Sequence, residues 1–415
     1  MNPYSDQNAT GVAKESPGSV STYVGARWRD FKAGIGTGDL GSLPVFIGLL
    51  LISVIFQILN PYFLSAENLS NLALESAASG TIAIGVVLVL LIGQIDLSVG
   101  SISGVAATIV AVGFVFHGWP LWLSVLAAVL AGAVIGFIYG LIYTRFGVPT
   151  FVITLAGLMG ILGLQLWILG KNGTINIPFE SWLVVFAQRA FLPEVATYLL
   201  VVLTVALFVT SKLLTARRRA AAGLPAASRA GILTRGALLL LILGVFSWHL
   251  SASRGIGLMF LVFVIFIVIV NYALKRTRWG RAVYAIGGNV EAARRAGIPV
   301  ARTIISVLAL GGAFAAIGGI FAMGRLASAG VSSGGLDTNL MAIAAGVIGG
   351  TSLFGGRGSA WSALLGVVVI QSIANGLTLV SLDSSIRFMI TGAVLLVAVI
   401  IDSATRRSRA LHGRA

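Results

Sequence analysis

Two acids lie inside otherwise apolar sequence, and they have the most chemical potential in the chain. Asp96 sits in Gln94-Ile95-Asp96-Leu97-Ser98-Val99-Gly100, between the apolar runs Ile82–Ile92 and Val105–Phe116. Glu75 lies shortly before the first run. An ionisable group near hydrocarbon costs about 2.5–3.5 kcal/mol even on the lenient insertion scale. Irregular backbone at that depth must be buried in protein or line a polar path. Gln94, Asp96, Ser98 and Glu75 are therefore candidates for a translocation path or a gate. The simpler reading of Asp96 is an ordinary acid in a cytoplasmic turn. Catalytic chemistry finds little support. There is no cysteine, and no Gly-x-Ser-x-Gly elbow or His-Glu-x-x-His helix. His117, His249 and His412 are far apart, whereas a zinc site needs converging ligands. No Gly-x-x-x-x-Gly-Lys-Ser/Thr loop occurs to cradle nucleotide phosphates, and Gly170-Lys171-Asn172 lacks the hydroxyl residue. The reading is a non-enzymatic transport protein without cofactor or metal.

The elements that must position these residues follow from composition. The 415 residues are 57% hydrophobic and 10% charged, with mean hydropathy +0.99. Charge is clustered between apolar runs long enough to cross a hydrocarbon core of about 30 Å. The ten-residue alternation of a membrane β-barrel is absent. The fold class is all-α, a polytopic transmembrane helical bundle. Twelve spans are expected near 44–59, 72–93, 101–116, 121–143, 148–169, 194–213, 236–250, 256–274, 303–323, 338–354, 359–380 and 386–401. The spans at 236–250 and 338–354 are short, so the count lies between 10 and 12. Residues 1–43 read as a disordered cytoplasmic segment with no cleavable signal peptide, 44–402 as the membrane domain, and 403–415 as a cytoplasmic tail.

Charge placement orients the bundle. With the N-terminus inside, the 28 Lys and Arg collect on the inner side, apart from Lys171, Arg189, Arg254, Arg325 and Arg387. This is the positive-inside pattern, with both termini cytoplasmic for an even span count. It accounts for the net charge of +15 without invoking nucleic acid. Tyr62, Phe63, Trp119, Trp122 and Trp182 fall at outer ends and suit an aromatic belt. Gly132, Gly136 and Gly140 recur every four residues and predict close helix packing, as do Gly157, Gly160 and Gly163. Ile92-Gly93, Leu97, Gly100 and Ser103 are echoed at one constant offset by Ile348-Gly349, Leu353, Gly356 and Ser359, a pattern that suits the internal repeats of transporters.

The inner loop 275–302 carries Gly288-Asn289-Val290-Glu291-Ala292-Ala293-Arg294-Arg295-Ala296-Gly297-Ile298-Pro299. Asn289 is a good N-cap. Glu291 favours the helix start and Arg294 and Arg295 its end. Gly297 suits C′, and Pro299 blocks continuation. So short a helix is marginal alone in water, so it packs against a partner or lies on lipid headgroups.

Glu291-Ala292-Ala293 with Ala296-Gly297-Ile298 resembles the coupling-helix loop of ATP-binding-cassette importer permeases. Gln94 to Ser101 resembles a string of their monosaccharide branch, the ribose and xylose permeases. Gly346-Val347-Ile348-Gly349-Gly350-Thr351-Ser352-Leu353-Phe354-Gly355-Gly356-Arg357-Gly358 resembles that branch's late glycine-rich segment. The basic insert 214–235 resembles one in the xylose-type sub-branch, though chemically it reads as a positively charged linker anchored at anionic lipid. The resemblance implies a bacterial inner-membrane permease homodimer served by cytoplasmic ATPase subunits and a periplasmic sugar-binding protein. Asn289, Glu291, Ala292, Ala293, Ala296, Gly297 and Ile298 would form the ATPase-docking coupling helix, and xylose is the first choice of sugar. The alternatives are a branched-chain amino-acid permease of the same class and an ion-coupled secondary transporter using Glu75 and Asp96.

Overall fold

A computed structural model describes residues 43–381 and scattered positions from 383 to 400. The expected N-terminal segment, the C-terminal tail and most of the span at 386–401 lie outside the described residues. The described helices are α1 Leu43–Leu59, α2 Ala66–Leu91, α3 Val99–Val115, α4 Leu121–Phe146, α5 Thr150–Leu169 and α6 Trp182–Gln188. They continue with α7 Glu194–Ala221, α8 Arg229–Ser251, α9 Leu258–Arg276, α10 Arg278–Gly288 and α11 Val290–Arg295. The last three are α12 Val300–Leu326, α13 Leu336–Ile348 and α14 Trp361–Leu379. Among the described residues, eight helices are long and apolar enough to cross a membrane. α1, α3 and α13 are apolar but shorter.

α2 is the centre of the bundle. Ser65 caps it by accepting a hydrogen bond from the Asn68 amide, and Gly93, at φ 72°, ends it. Its most apolar window is 89% buried, against 11% for α7. An all-round apolar helix is stable either inside protein or in lipid, and these two helices take the two solutions. α12 packs along α2, α3 and α4, and the α13–α14 pair packs on α2. Two three-residue strands, β1 Thr174–Asn176 and β2 Ser328–Gly330, pair antiparallel.

The glycine spacing sets the α4–α12 contact. A Cβ on Gly132 would meet the Gly312 carbonyl, and one on Gly140 would meet Ile305 backbone at 2.7 Å. A Cβ on Gly136 would fall closer still, on the Leu308 carbonyl. The second series behaves differently. Gly157 abuts Tyr139, but Gly160 and Gly163 have nothing near them. At 3.6 residues per turn, a spacing of three drifts about 60° around the helix per step, against about 40° for a spacing of four.

Several boundaries differ from the sequence reading. The insert is mostly helical, because α7 runs to Ala221 and α8 begins at Arg229. Its Ala and Arg are good helix formers, and only the stretch around Gly223 and Pro225 interrupts them. α13 stops at Ile348, short of the expected 354, where glycines take over. α10 and the strand pair were not anticipated. Phe63 is buried against Phe56, with ring centroids 5.4 Å apart, and does not join an aromatic belt.

Candidate functional site

Between α2 and α3 the backbone leaves helical geometry, with Gly93 exposed and Gln94, Ile95 and Leu97 half-buried. Ile92, Asp96 and Ser98 are all buried. Buried backbone donors need acceptors, and side chains supply them. Asp96 Oδ1 accepts from the Ser98 amide and the Ser98 hydroxyl, both at 2.7 Å. Thr154 Oγ1 accepts from the Leu97 amide, and Asn339 Oδ1 from the Gly100 amide. Gln94 Oε1 accepts from the Thr150 hydroxyl at 2.6 Å. Asp96 Oδ2 is buried without a hydrogen-bond partner among the described residues, as is the Tyr139 hydroxyl nearby. Half-buried Gln94 and buried Asp96 and Ser98 thus lie among polar groups that meet the break from α4, α5 and α13. Sequence reasoning missed Thr150, Thr154 and Asn339, which look like ordinary polar residues in apolar runs until the fold brings them to the break.

Glu75 lies elsewhere. It is 16 residues before the end of α2, which at 1.5 Å per residue puts it about 24 Å up the helix from the break. Its carboxylate accepts a hydrogen bond from Arg325 and forms an ion pair with it. The side chains are 23% and 33% exposed, so the pair is well shielded. Gln188 Nε2 donates to the Arg325 carbonyl at 2.8 Å and steadies the end of α12. Removing Arg325 alone leaves a shielded carboxylate unpaired. Arg325→Ala is expected to cost about 1–3 kcal/mol of stability, between the values for exposed and buried pairs. The double variant Glu75→Gln/Arg325→Gln should cost less than the two single Gln changes added together. Thermal unfolding in detergent reads this, and simple additivity would remove the pairing argument.

At the other end of the bundle, α11 has the expected caps. Asn289 Oδ1 accepts from the Ala292 amide at 2.9 Å. Gly297 has φ 77°. Its amide donates to the Arg294 carbonyl, and the Ile298 amide donates to the Ala293 carbonyl, the bond pattern of a Schellman end. Glu291, Ala292, Arg294, Arg295 and Ala296 are exposed, and Glu291 pairs with both arginines. Ala293 is 4% exposed, so it anchors the helix and leaves its neighbours to face outward. Ile298 is half-buried. A cleft of about 520 Å³ opens beside the helix, lined by Tyr143, Arg294, Pro299 and Arg302 among others. A Cβ on Gly297 would meet nothing, so only its left-handed backbone resists substitution. Gly297→Val is expected to fray the end of α11 and speed its hydrogen exchange severalfold, while Gly297→Asn, which tolerates that conformation, should keep most of the protection. Amide exchange across 289–298 measures this, and equal protection in both variants would dismiss the cap argument.

α10 joins α11 to the bundle. The Thr277 hydroxyl accepts from the Gly280 amide and starts it. Trp279, Val283 and Ile286 lie at helical spacing, the signal that could have revealed this element. Trp279 Nε1 donates to Ser306 on α12 at 2.8 Å, and the Tyr284 hydroxyl donates to the Gly358 carbonyl at 2.9 Å. Burial raises the Tyr284 phenol above its usual range, so it remains a donor. Beyond Tyr284 three chain segments meet almost backbone to backbone. The Gly356 amide donates to the Leu91 carbonyl at 2.9 Å. A Cβ on Gly287 would land on both the Leu91 carbonyl and the Gly356 amide, and one on Gly93 would meet the Phe354 carbonyl at 3.3 Å. The two echoed sequence segments are therefore both helix breaks, and they touch here.

The described residues thus form a bundle of apolar helices with a polar break after α2 and a capped, outward-facing helix at one end. The profile of the family described as branched-chain amino acid transport system / permease component matches residues 68–399, and the chain belongs to this family. It is 36% identical over 345 residues to the xylose transport system permease protein of Escherichia coli (strain K12), covering 83% of this chain and 87% of the relative. It is 34% identical over 370 residues to the xylose transport system permease protein of Haemophilus influenzae, covering 88% and 98%. The ribose import permease protein of Bacillus subtilis (strain 168) is 32% identical over 365 residues, covering 88% and 94%. No solved structure matches the chain.

Proposed function

We propose that the chain forms the membrane path of an ATP-binding-cassette importer for a monosaccharide, with xylose the first choice. The observation that carries this is the alignment with xylose permeases over most of both chains. The matching family takes its description from amino-acid transport, but relatives at 28–36% identity are named for xylose, ribose and fructose. That favours the sugar branch over the amino-acid alternative. The protein is a multi-pass membrane protein, and a bacterial inner-membrane location follows from the proposed system. Ten to twelve spans and cytoplasmic termini remain our reading.

In this reading the permease supplies a path and no chemistry. A periplasmic binding protein delivers sugar to the outer end, and ATPase subunits dock on Glu291, Ala292, Arg294, Arg295 and Ala296. Two copies of the chain form the working unit. ATP binding moves α11, and α10 transmits that movement to the end of α2 and to the glycine-rich segment. ATP can shift the permease only by favouring one of its two states. The break at Gln94, Asp96 and Ser98 lies just beyond the moved end of α2, and gating is the role we assign to it. An ion-coupled mechanism is less well supported, because Glu75 is held by Arg325 and Asp96 by Ser98.

The test is uptake in liposomes holding the chain, its ATPase and sugar-loaded binding protein. Labelled xylose should accumulate with ATP and stop without it, and collapsing proton and sodium gradients should change nothing. Uptake by the chain alone, driven by an ion gradient and indifferent to ATP, would overturn the reading.

A further inference from the structure

The basic end of the α7–α8 hairpin contains a pocket that the transport reading does not use. Its volume is about 230 Å³, and its lining includes Phe208, Lys212 and Arg219 from α7, Pro225 from the turn, and Ile232 and Arg235 from α8. Lys212, Arg219 and Arg235 line it and pair with no acid among the described residues, and the sequence has no Asp or Glu from position 195 to 290. The ion pairs found among the described residues involve Glu75 and Glu291 only. The Lys212 ammonium lies 5.8 Å from the Phe208 ring centroid, so it leans toward the apolar end of the pocket. Beyond the pocket both helices present bare hydrocarbon faces. Leu199, Leu203 and Leu207 on α7 and Leu238, Leu241 and Val245 on α8 are each more than half exposed.

This combination selects a ligand. Two guanidinium forks and an ammonium suit a phosphate. A volume of about 230 Å³ is below the roughly 300–1,000 Å³ of sites that enclose whole drug-sized molecules. A nucleotide is too large for it, whereas a phosphate with a small headgroup fits. The adjoining apolar faces then hold what lies outside the pocket. We infer that this pocket binds the phosphate headgroup of an anionic phospholipid, with the acyl chains lying along the exposed faces of α7 and α8. The site differs from diffuse attraction of basic loops to a negative membrane surface, since it assigns the binding to Lys212, Arg219 and Arg235 and not to every cation of the insert.

The test uses the full chain, solubilised and delipidated, with phosphatidylglycerol and phosphatidylcholine as probes and retained lipid read by native mass spectrometry. Lys212→Gln/Arg219→Gln/Arg235→Gln should retain at least tenfold less phosphatidylglycerol than the unaltered chain. Arg217→Gln/Arg218→Gln/Arg229→Gln removes equal charge from the same hairpin outside the pocket lining and should retain it nearly as well. Phosphatidylcholine should be held weakly by all three proteins. Equal losses in the two triple variants would reduce the site to general charge attraction and overturn the proposal. Displacement of the lipid by millimolar inorganic phosphate would instead identify a free-phosphate site and overturn the lipid assignment. A second measurement needs no variant. Hydrogen exchange across 212–235 in the unaltered chain should slow in phosphatidylglycerol nanodiscs relative to phosphatidylcholine ones, and identical exchange would also overturn the proposal.

Discussion

Gly287→Ala is expected to lower ATP-driven uptake at least tenfold, while Gly288→Ala leaves it near normal. The two glycines are adjacent at the end of α10, yet their surroundings are opposite. A methyl on Gly287 falls on the Leu91 carbonyl and the Gly356 amide, whereas one on Gly288 meets nothing within 4 Å. The obstructing atoms are backbone on both sides, so no side-chain rotation relieves the overlap. Overpacking of this kind costs about 1–3 kcal/mol. The strain falls where α10 meets α2 and the glycine-rich segment, so it should uncouple docking from the path. ATPase co-purification should persist, because α11 and its caps are untouched. Uptake in the reconstituted importer checks the claim, and equal tolerance of the two alanines would refute the close-contact joint.

Asp96 carries the second large effect. Asp96→Ala removes the acceptor for both the amide and the hydroxyl of Ser98. An unsatisfied buried donor costs about 1–3 kcal/mol, and here the donor sits where α3 begins. Transport or assembly should fall about tenfold or more. Asp96→Asn keeps an oxygen at Oδ1 and should retain most activity. An ion-coupled carrier predicts the reverse, since asparagine cannot hold or exchange a charge. Uptake that survives alanine would reduce Asp96 to an ordinary buried acid. Uptake lost equally in Asn and Ala would move the argument from hydrogen bonding to charge.

Much of this was legible in the sequence, but unevenly. The caps of α11 could be read because they are local. Asn289, Gly297 and Pro299 act within a few residues of themselves, and periodicity and turn chemistry register that range. The glycine spacing in α4 gave the packing face for the same reason. What escaped was non-local. Arg325 read only as an outer-side cation, and its pairing with Glu75 spans 250 residues. Asn339 reaches Gly100 across a separation of 239. α10 was missed because its basic and glycine residues masked a short apolar stripe. The insert was read as a linker, since charge dominated its composition while its helix propensity went uncounted.

The α7–α8 hairpin leaves and rejoins the bundle at one point. The Leu192 amide donates to the Ile256 carbonyl, and the Leu258 amide donates to the Ala190 carbonyl, so the chain meets itself where the excursion begins and ends. Loop closure there is already achieved by the backbone. A permease with this hairpin and one without it can therefore differ by a single insertion, with only the α2 surface that α8 covers and the Leu64 carbonyl that His249 meets left to adapt. The neck makes the hairpin a single unit of the chain, gained or lost whole, and not a set of independent spans.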